Sequence, residues 1–353
     1  MDNFVYAKDE LGLSREEMRA ALLSAIEGRE LKNVLIIPPD FTRFHSNAGY
    51  ITNVYYHALT ERGCNVDILP ALGTHVPVTE DEAKLMFDDV PYEKFIAHNW
   101  RTDVVKLGEV PADYLEEITE GLWLSPVSVE VNRLIMDEKY DLIISPGQVV
   151  PHEVIGMANH SKNLFVGTGG SDMINKSHMV GAVYGMERMM GKDHTPVRKL
   201  FDYGMEHFLN KRPILFVLTV CTAPGGNIRT HGLFIGEDAQ VDKLIRKYGY
   251  KGRLNTLEQF EKPENQDLRD NMGAAAHLIH GSSDGRFTIT YAVKNISKEE
   301  IEGVGFCAAD YDEAAKRYDP EKLQYGYNTL PDGEEIYFIP NPALGLWINR
   351  EKF

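Results

Sequence analysis

The sequence has few cysteines, no excess of positive charge and no long apolar run. Its 353 residues include three cysteines, Cys64, Cys221 and Cys307, which are scattered and form no CxxC pair. This usage is typical of a reducing compartment and offers no thiolate cage for a metal ion. The formal net charge of -16 disfavours nucleic acid or an anionic membrane as a partner, because both prefer a basic surface.

Segments that would target or anchor the chain are also missing. The first residues, MDNFVYAKDELGL, show no basic region followed by an apolar core. No apolar run approaches the roughly 18–20 residues that a membrane-spanning helix needs. We therefore expect a cytoplasmic protein without a membrane partner. A length of 353 residues, 43% of them hydrophobic, is enough for two globular domains with separate cores.

Strand-like and helix-like segments alternate through the first 250 residues. Apolar runs of strand length occur at 33–37, 66–69, 142–144 and 213–220. Helical patterns occur at 14–28, 46–62, 79–87 and 196–211. The alternation predicts an α/β fold with a mostly parallel sheet in a larger N-terminal domain, residues 1–250. Residues 251–353 are expected to form a smaller α/β domain that closes over the first, with the active site in the cleft between the two.

Polar motifs follow the predicted strands. PDFTR at 39–43 follows the first strand, GTH at 73–75 follows the second, and the stretch 141–178 contains three histidines and Lys162. Because the carboxyl ends of parallel strands meet at one edge of a sheet, these segments are expected to share a pocket. Pro-Asp and Gly-Thr are also ordinary turn chemistry, so a purely structural role for either short motif is the alternative.

The spacing of these residues resembles that of the nickel-dependent lactate racemase family. In that family a Pro-His pair precedes a lysine by ten residues, and a histidine follows sixteen residues later; His152, Lys162 and His178 reproduce both spacings. PDFTR, GTH and the segment around His98 also resemble family motifs. The resemblance covers roughly the first 240 residues, and several matched spacings together are more specific than any one motif.

The resemblance implies an isomerase that inverts carbon 2 of a 2-hydroxy acid by moving a hydride to and from a nickel-pincer nucleotide. By position, Lys162 is expected to hold this cofactor covalently and His178 to be a nickel ligand. His98 and His152 are expected to be the paired acid and base, since each enantiomer needs its own proton acceptor. The enzymes that synthesise the cofactor are then expected partners, together with the small-molecule substrate.

Further residues are candidates for binding anions. Arg43 is the first candidate for the substrate carboxylate, because arginine forms bidentate hydrogen bonds with carboxylates; the cofactor phosphate is the other possible anion. Asp40 is expected to orient Arg43 or to contact cofactor hydroxyls. Thr74 and the amides at Gly169 and Gly170 are candidate phosphate contacts, because a flexible backbone can direct N–H groups at an anion.

Departures from the family pattern bear on the substrate. The family has GxSGGxK before its lysine, whereas residues 156–162 read GMANHSK, with bulkier side chains. A Gly-Tyr-Pro segment and a Gln-x-x-Lys pair typical of lactate-specific members are missing, and Arg286 and Lys294 are candidate replacements in substrate binding. We therefore expect a 2-hydroxy acid larger or more polar than lactate, such as a sugar acid.

Two other functions stay open at this point. The chain can be a non-catalytic protein that binds or carries the pincer cofactor, or a metal-dependent hydrolase whose histidines bind the metal directly. Each histidine also has an ordinary explanation as a packed or surface residue, and His75 and His160 are the weaker candidates for a role in the site. The sequence leaves the oligomeric state open.

Overall fold

The computed structural model describes residues 3–189, 192, 194–223, 227–237, 270–271, 288, 290–294, 296–303, 306–324, 326–338 and 343–345. Arg286 and most of the predicted second domain, 251–353, lie outside these residues. The division into two domains therefore stays a prediction.

The N-terminal half follows the predicted alternation of strands and helices. Its first elements are β1 (Asn3–Tyr6), α1 (Arg15–Ala25), β2 (Asn33–Ile36), α2 (Ala48–Thr60), β3 (Asn65–Ile68) and α3 (Glu80–Phe87). Helices α1 and α3 both begin with a capping box: Ser14 and Thr79 each accept a hydrogen bond from the third helical amide, and Glu17 and Glu82 complete the two boxes. These reciprocal bonds satisfy amides that would otherwise lack a partner at the helix start.

The middle of the chain continues the α/β pattern. Its elements are β4 (Val104–Val110), α4 (Ala112–Ile118), β5 (Val127–Asn132), α5 (Arg133–Met136), β6 (Leu142–Gln148), β7 (Pro151–His152), β8 (Gly156–Met157), α6 (Ser171–Tyr184), α7 (Met186–Met189), α8 (Pro196–Gly204), β9 (Ile214–Thr222) and β10 (Arg229–Glu237). A π-helical turn, Asn163–Gly167, lies between β8 and α6. The strand predicted at 142–144 continues to Gln148, because β6 pairs with β9 along residues 143–148 and is buried throughout.

One six-stranded sheet organises this part of the structure, with strand order β1-β10-β9-β6-β2-β3. The pairs β9–β6, β6–β2 and β2–β3 are parallel, and β10 and β1 add an antiparallel edge. The predicted α/β fold class with a mostly parallel sheet is confirmed. The carboxyl ends of β2, β3 and β6 therefore lie along the same edge, where ligands gather in open α/β sheets.

The sheet is buried on both faces. Alternate residues of β6 belong to different cores: Ile143 packs with α6, α8 and the hairpin of β4 and β5, whereas Ile144 packs with α1, α2 and α3. Both isoleucines are fully buried. A strand covered on two faces reads as a continuous apolar run, which explains why the sequence shows no period-two alternation there.

Several short elements are described beyond residue 250. They are β11 (Asp270–Asn271), β12 (Thr290–Tyr291), a helix at Lys298–Gly303, β13 (Cys307–Ala308), a helix at Tyr311–Arg317, β14 (Gly326–Thr329), β15 (Glu335–Phe338) and β16 (Ala343–Gly345). Within the described ranges, no helix combines the length and apolarity needed to cross a membrane.

Because both faces of the sheet are covered, neighbouring positions of β6 should be equally sensitive to shortening of their side chains. We expect Ile143→Ala and Ile144→Ala each to lower the free energy of unfolding by about 2–5 kcal/mol, and the valine variants to lower it by about 0.5–1.5 kcal/mol, because the loss scales with the cavity left behind. Urea denaturation of all four variants measures this. A neutral alanine variant at either position would show that one face of the strand is not packed.

Candidate functional site

Three chain segments meet at the carboxyl edge of the parallel strands. Pro39 and Ala71 form an isolated parallel bridge, and the Ala71 amide donates to the Pro38 carbonyl at 2.7 Å. The Gly73 amide donates to the Gly167 carbonyl at 2.7 Å. The segments after β2, β3 and β6 are thus bonded to one another through their backbones, and the shared pocket expected from their place at strand ends stays a prediction.

Asp40 is the buried carboxylate of this edge. It caps the 3₁₀ turn Phe41–Ser46, where its Oδ1 accepts from the Thr42 amide at 3.1 Å and from the Thr42 hydroxyl. Its Oδ2 pairs with Nδ1 of His75. Burial raises the pKa of Asp40, but the hydrogen bonds from His75 and Thr42 outweigh that effect, so the pKa is lowered and the group is ionised at neutral pH.

Arg43 supplies a half-buried positive charge to the same place. Its Nη1 donates to the Thr42 hydroxyl at 3.3 Å. Its charge acts on its neighbours: it is among the causes that lower the pKa values of Lys162 and His152. A guanidinium stays charged at all relevant pH values, so Arg43 is a fixed cation suited to a carboxylate or phosphate ligand.

The loop that carries Lys162 has an unusual backbone. Asn159 and His160 both adopt left-handed φ angles, +65° and +57°. These are the positions at which the resembled family has two glycines, and glycine adopts this region at no steric cost. The Asn159 side chain supports the turn by accepting from the His160 amide at 2.7 Å, while the His160 ring packs against Phe216 with 4.3 Å between ring centroids.

Arg198 holds this loop from the opposite side. The residue is buried on α8, and its guanidinium donates to the Ser161 hydroxyl at 2.7 Å, to the Met157 carbonyl and to the Asn159 carbonyl at 3.4 Å. One side chain thus spans three acceptors across residues 157–161. The planar fork of arginine suits such a clamp, because its donors are fixed relative to one another.

Lys162 is a perturbed lysine. Its pKa is lowered from the ordinary value of 10.5 to about 8: burial is the largest cause, the charges of Arg43 and Arg198 act in the same direction, and the charges of Glu153 and Asp40 oppose them. A depressed lysine pKa leaves part of the amine neutral, and therefore nucleophilic, near neutral pH. Nothing in the sequence next to Lys162 signals this, because the responsible groups come from other elements.

His152 lies in the interior beside Lys162. Its Nδ1 accepts from the Val154 amide at 3.1 Å, and the Glu153 carboxylate is 3.5 Å from the same atom. Burial lowers the pKa of His152 well below its ordinary value, the charge of Glu153 opposes this, and the charges of Lys162 and Arg43 add to it. The ring is therefore neutral, and because Nδ1 accepts, the proton resides on Nε2.

His178 projects from α6 toward the same group of residues. Its Nδ1 donates to the Ile174 carbonyl one turn earlier, at 2.6 Å, and its charge is one of the causes acting on the pKa of His152. When one ring nitrogen of a neutral histidine donates to a backbone carbonyl, the tautomer is fixed and the lone pair lies on the other ring nitrogen. Nε2 of His178 is thus the nitrogen with metal-binding character.

His98 is arranged differently from the other predicted site residues. It is buried, its Nε2 donates to the Gly169 carbonyl at 3.0 Å, and its Nδ1 accepts from the Asn132 side-chain amide at 3.0 Å. Burial lowers its pKa, although the bond to Gly169 and the charge of Asp103 oppose this. Both ring nitrogens are thus engaged with the protein, and a proton exchange with substrate requires one of these bonds to break.

The predicted phosphate contacts have close packing of their own. A Cβ at Gly169 would lie 1.8 Å from the Phe165 carbonyl oxygen, and one at Gly170 would lie 2.2 Å from the Glu130 carboxylate. That carboxylate accepts from the Asp172 amide at 3.1 Å, at the start of α6. The close approach of the Phe165 carbonyl and of the Glu130 carboxylate therefore explains why both positions are glycine. Thr74 is exposed at the turn, and its phosphate role stays a prediction.

Lys294 is placed on a different set of neighbours. Its ammonium pairs with Asp312 at 3.2 Å and lies 4.5 Å from the centre of the Tyr311 ring. Its predicted role with the substrate is therefore not supported by a described contact with the residues around Lys162. The other predicted replacement, Arg286, is outside the described residues.

Four residues of this neighbourhood were not predicted as site residues. Arg198 and Asn132 act through hydrogen bonds to segments distant in sequence, and Glu153 acts through charge. His45 lies two residues after Arg43, and burial together with the charge of Arg43 lowers its pKa to about 4. Of these, His45 lies two residues after the PDFTR motif and Glu153 directly follows His152, so both are near a residue that the sequence singled out.

The described side chains do not form a metal site by themselves. In the part of the chain that the structure describes, no three His, Cys, Asp or Glu residues are grouped so that they could hold a metal ion. A single imidazole, His178, is oriented for metal binding, and the rest of a coordination sphere would have to come from a bound group.

Comparison with known protein families identifies a domain. Residues 15–190 match the family model of the lactate racemase N-terminal domain, a range that includes Asp40, Arg43, His98, His152, Lys162 and His178. No curated protein matches the sequence.

Two solved structures are similar in fold. One is a crystal structure of a protein from Thermotoga maritima, with a TM-score of 0.73 and 17% identity, and the match covers 97% of this chain and 100% of that one. The other is the lactate racemase apoprotein from Thermoanaerobacterium thermosaccharolyticum, with a TM-score of 0.52, 16% identity and coverage of 97% and 91%. At this identity the likeness shows the fold. The match to the family model shows that residues 15–190 belong to the family of the lactate racemase N-terminal domain.

Proposed function

We propose that this protein is a racemase or epimerase that inverts carbon 2 of a 2-hydroxy acid with the help of a nickel-pincer nucleotide. One observation carries the proposal: the buried His152 lies close to the half-buried Lys162, Arg43 and His178, and the pKa of Lys162 is lowered. The family relationship supports an isomerase, and these side chains are of the types that the reaction requires.

The donor set fits such a cofactor. Lys162 offers a partly neutral amine for covalent attachment, and His178 offers Nε2 to a metal. A nickel ion held by one protein imidazole needs soft ligands from elsewhere, and the two sulfur-bearing arms of the pincer group are such ligands. Arg43 and the fixed charge of Arg198 favour a ligand that carries a phosphate or a carboxylate.

The chain's own residues then have distinct tasks. When bound, the cofactor supplies an acceptor for the hydrogen of carbon 2. Arg43 holds the substrate carboxylate through paired N–H donors. His152 carries a proton on Nε2 in its neutral form and donates a hydrogen bond to the hydroxyl or keto oxygen. Burial around Lys162 and His152 keeps water away, which strengthens each of these charged contacts.

His98 remains the second proposed acid–base residue by family resemblance. Its bonds to Gly169 and Asn132 connect it to the segment before α6 and to the end of β5. A catalytic role requires the Gly169 bond to open when ligands enter, and a structural role requires it to stay closed. These alternatives predict different outcomes for a substitution that keeps the hydrogen bonds.

The substrate is proposed to be larger or more polar than lactate. The lactate-specific Gly-Tyr-Pro segment and Gln-x-x-Lys pair are missing from the sequence, while the carboxylate-binding Arg43 is present. A sugar acid fits this combination, because it keeps the 2-hydroxy acid group and adds hydroxyls that need other partners. The test is a screen of lactate, malate, gluconate and mannonate, each deuterated at carbon 2. Inversion with the label retained supports hydride return, and exchange with solvent contradicts it.

A cofactor carrier without catalysis is the second candidate function. Lys162 and His178 alone would serve a carrier, whereas a buried proton donor such as His152 has no use in one. The third candidate, a hydrolase with a protein-only metal site, finds no group of three suitable ligands in the described ranges.

Covalent attachment predicts a change of mass that depends on Lys162. We expect protein co-produced with the cofactor-synthesis enzymes to be heavier than its sequence mass by one nucleotide-sized adduct. Lys162→Ala and Lys162→Arg should both lack the adduct, the arginine variant because its guanidinium keeps the charge but is not a nucleophile at neutral pH. Intact-mass spectrometry measures this, and an unmodified wild-type chain would contradict the proposal.

The lowered pKa of Lys162 predicts how the cofactor-free lysine titrates. Acylation by trace acetic anhydride requires the neutral amine, so labelling of Lys162 should rise with pH around a midpoint near 8, where an ordinary lysine has its midpoint at about 10.4. Arg43→Gln removes a neighbouring positive charge and should move the midpoint upward. Exposed lysines in the same peptide digest are the internal control, and a midpoint for Lys162 equal to theirs would contradict the prediction.

The proposed role of His152 predicts that its substitution lowers turnover but leaves the cofactor attached. His152→Gln keeps an amide that can donate a hydrogen bond but cannot exchange a proton, so kcat for inversion should fall by about 10²–10⁴-fold while the adduct mass is unchanged. A variant with wild-type kcat would remove His152 from the mechanism and favour the carrier.

A further inference from the structure

Three parts of the structure meet at the ring of His98. The segment before it extends the sheet beside β3, because the Ile96 amide donates to the Ile68 carbonyl at 2.7 Å. The ring donates from Nε2 to the Gly169 carbonyl, just before α6, and accepts at Nδ1 from the side chain of Asn132, the last residue of β5. His98 is 5% exposed and Asn132 is 2% exposed. A buried imidazole therefore joins the sheet edge, the end of β5 and the start of α6.

The hydrogen bonds around His98 all run in one direction. The Leu134 amide donates to Oδ1 of Asn132 at 3.0 Å, which leaves the side-chain nitrogen of Asn132 to donate to His98. Nδ1 of His98 must then accept, so the ring proton resides on Nε2, where it bonds the Gly169 carbonyl. A series of bonds that starts at a backbone N–H and ends at a backbone carbonyl permits a single neutral tautomer of the ring.

This series of bonds disfavours uptake of a second proton by His98. A proton on Nδ1 would face the amide hydrogens of Asn132, so that two donors would oppose each other without an acceptor. Burial, which lowers the pKa of His98, also disfavours the charged ring. The ring is therefore suited to holding its neighbours in place and poorly suited to accepting a proton from a substrate.

The segment that His98 holds connects the two predicted cofactor contacts. Lys162 directly precedes the π-helical turn, and His178 lies on α6. Gly169 lies between that turn and the helix. A shift at Gly169 would therefore move His178 relative to Lys162.

Strand β5 fastens the same segment through its backbone. The Asn132 amide donates to the Thr168 carbonyl at 2.7 Å, and Val131 forms an isolated antiparallel bridge with Gly169. The bond from the ring of His98 to the Gly169 carbonyl adds an attachment to the sheet edge. Thr168 and Gly169 are thus held from two directions, by β5 and by His98.

We infer that His98 is a positioning residue, which fixes the segment between Lys162 and His178 so that both are in place for one bound cofactor. It acts through its hydrogen bonds to Gly169 and Asn132 and does not exchange a proton with the substrate. This inference rests on the proposed function and replaces the acid–base role that family resemblance gives to His98. Its distinctive consequence is that a side chain with one acceptor and one donor, but no basic nitrogen, can take the place of the ring.

Nitrogen NMR of the full-length, cofactor-free chain with ¹⁵N-labelled histidine tests the tautomer. We expect neutral wild-type His98 to carry its proton on Nε2 and a lone pair on Nδ1. Asn132→Asp replaces the donor by an acceptor and should place a proton on Nδ1, and His98→Gln identifies the signal by removing it. A wild-type His98 with its proton on Nδ1 would overturn the inference without reference to activity.

Hydrogen exchange of the same cofactor-free chain tests the hold on the segment. His98→Ala removes both bonds and should speed exchange of the peptides that cover residues 163–174 by about 10–100-fold. His98→Gln offers an oxygen to Asn132 and an N–H to Gly169, so these peptides should exchange as in the wild type. The control is Leu22→Ala, which removes a fully buried side chain of α1 from the core on the other face of the sheet. Equal exchange of residues 163–174 in the wild type and His98→Ala would overturn the inference.

The cofactor-loaded chain separates positioning from proton transfer, with whichever of lactate, malate, gluconate and mannonate is inverted fastest. His98→Gln should keep kcat within about threefold of the wild type, whereas His98→Ala should lower kcat by about 10²-fold through misplacement alone. KM should change less than kcat, because Arg43 still holds the carboxylate. The visible spectrum of loaded His98→Ala should shift toward that of loaded His178→Ala, and Leu22→Ala should keep the wild-type spectrum and kcat.

The outcomes separate the inference from the function on which it rests. A loss of about 10²–10⁴-fold in His98→Gln, with wild-type hydrogen exchange, would return the acid–base role to His98 and overturn the inference alone. Equal losses of kcat in His98→Ala and Leu22→Ala would show a general effect on the fold and also overturn it. A loaded wild-type chain that inverts no acid would overturn the proposed function, while the tautomer, the exchange rates and the spectrum still decide the role of His98.

Discussion

The site depends on one constraint: the positive charges of Lys162 and two arginines lie close together where the protein partly excludes water. Arg43 approaches Lys162 from the turn after β2, and Arg198 approaches from α8. Burial is the largest cause of the lowered pKa of Lys162, and the two guanidinium charges add to it, because like charges repel more strongly where water is scarce and an arginine does not release its proton. The same positive charges favour an anionic ligand. The reactivity of the lysine and the preference for anions therefore share part of their physical origin.

The frame that brings these charges together is built from hydrogen bonds to neutral acceptors. Backbone bonds join the segments after β2, β3 and β6, and Arg198 contributes through its bonds to a hydroxyl and two carbonyls. Such bonds do not weaken when the pH or the salt concentration changes, whereas exposed ion pairs do. The positions of the site residues should therefore change little when pH or salt concentration changes the charges of the site.

The sequence predicted the fold well where a local signal existed. The helical patterns of α1 and α3 and the apolar runs of β2, β3 and β6 are local signals, and all five elements lie within a few residues of their predicted bounds. The bond between Asp40 and His75 joins residues 35 positions apart, and no periodicity announces it. The spacing of His152, Lys162 and His178 told which residues belong together but not which ring nitrogen of each carries a proton.

Arg198 shows the same limit from another direction. Nothing in the pattern of α8 distinguishes a buried arginine from a solvated one, because the three acceptors that make its burial tolerable lie on a loop some forty positions earlier. His98 illustrates the converse: a motif marked it as catalytic, while its two partners, Asn132 and Gly169, are visible only in the folded chain. Motifs identify candidates, and three-dimensional partners assign their chemistry.

The left-handed pair Asn159 and His160 has a consequence for the binding loop as a whole. Two glycines would reach this backbone shape freely but would also leave it freely, whereas asparagine and histidine have fewer alternative conformations to visit when the chain is unfolded. The left-handed backbone is sterically unfavourable for these two residues, but the loop loses less conformational entropy on folding than two glycines would. The loop that carries Lys162 is therefore held in one conformation by its own backbone, without help from a ligand.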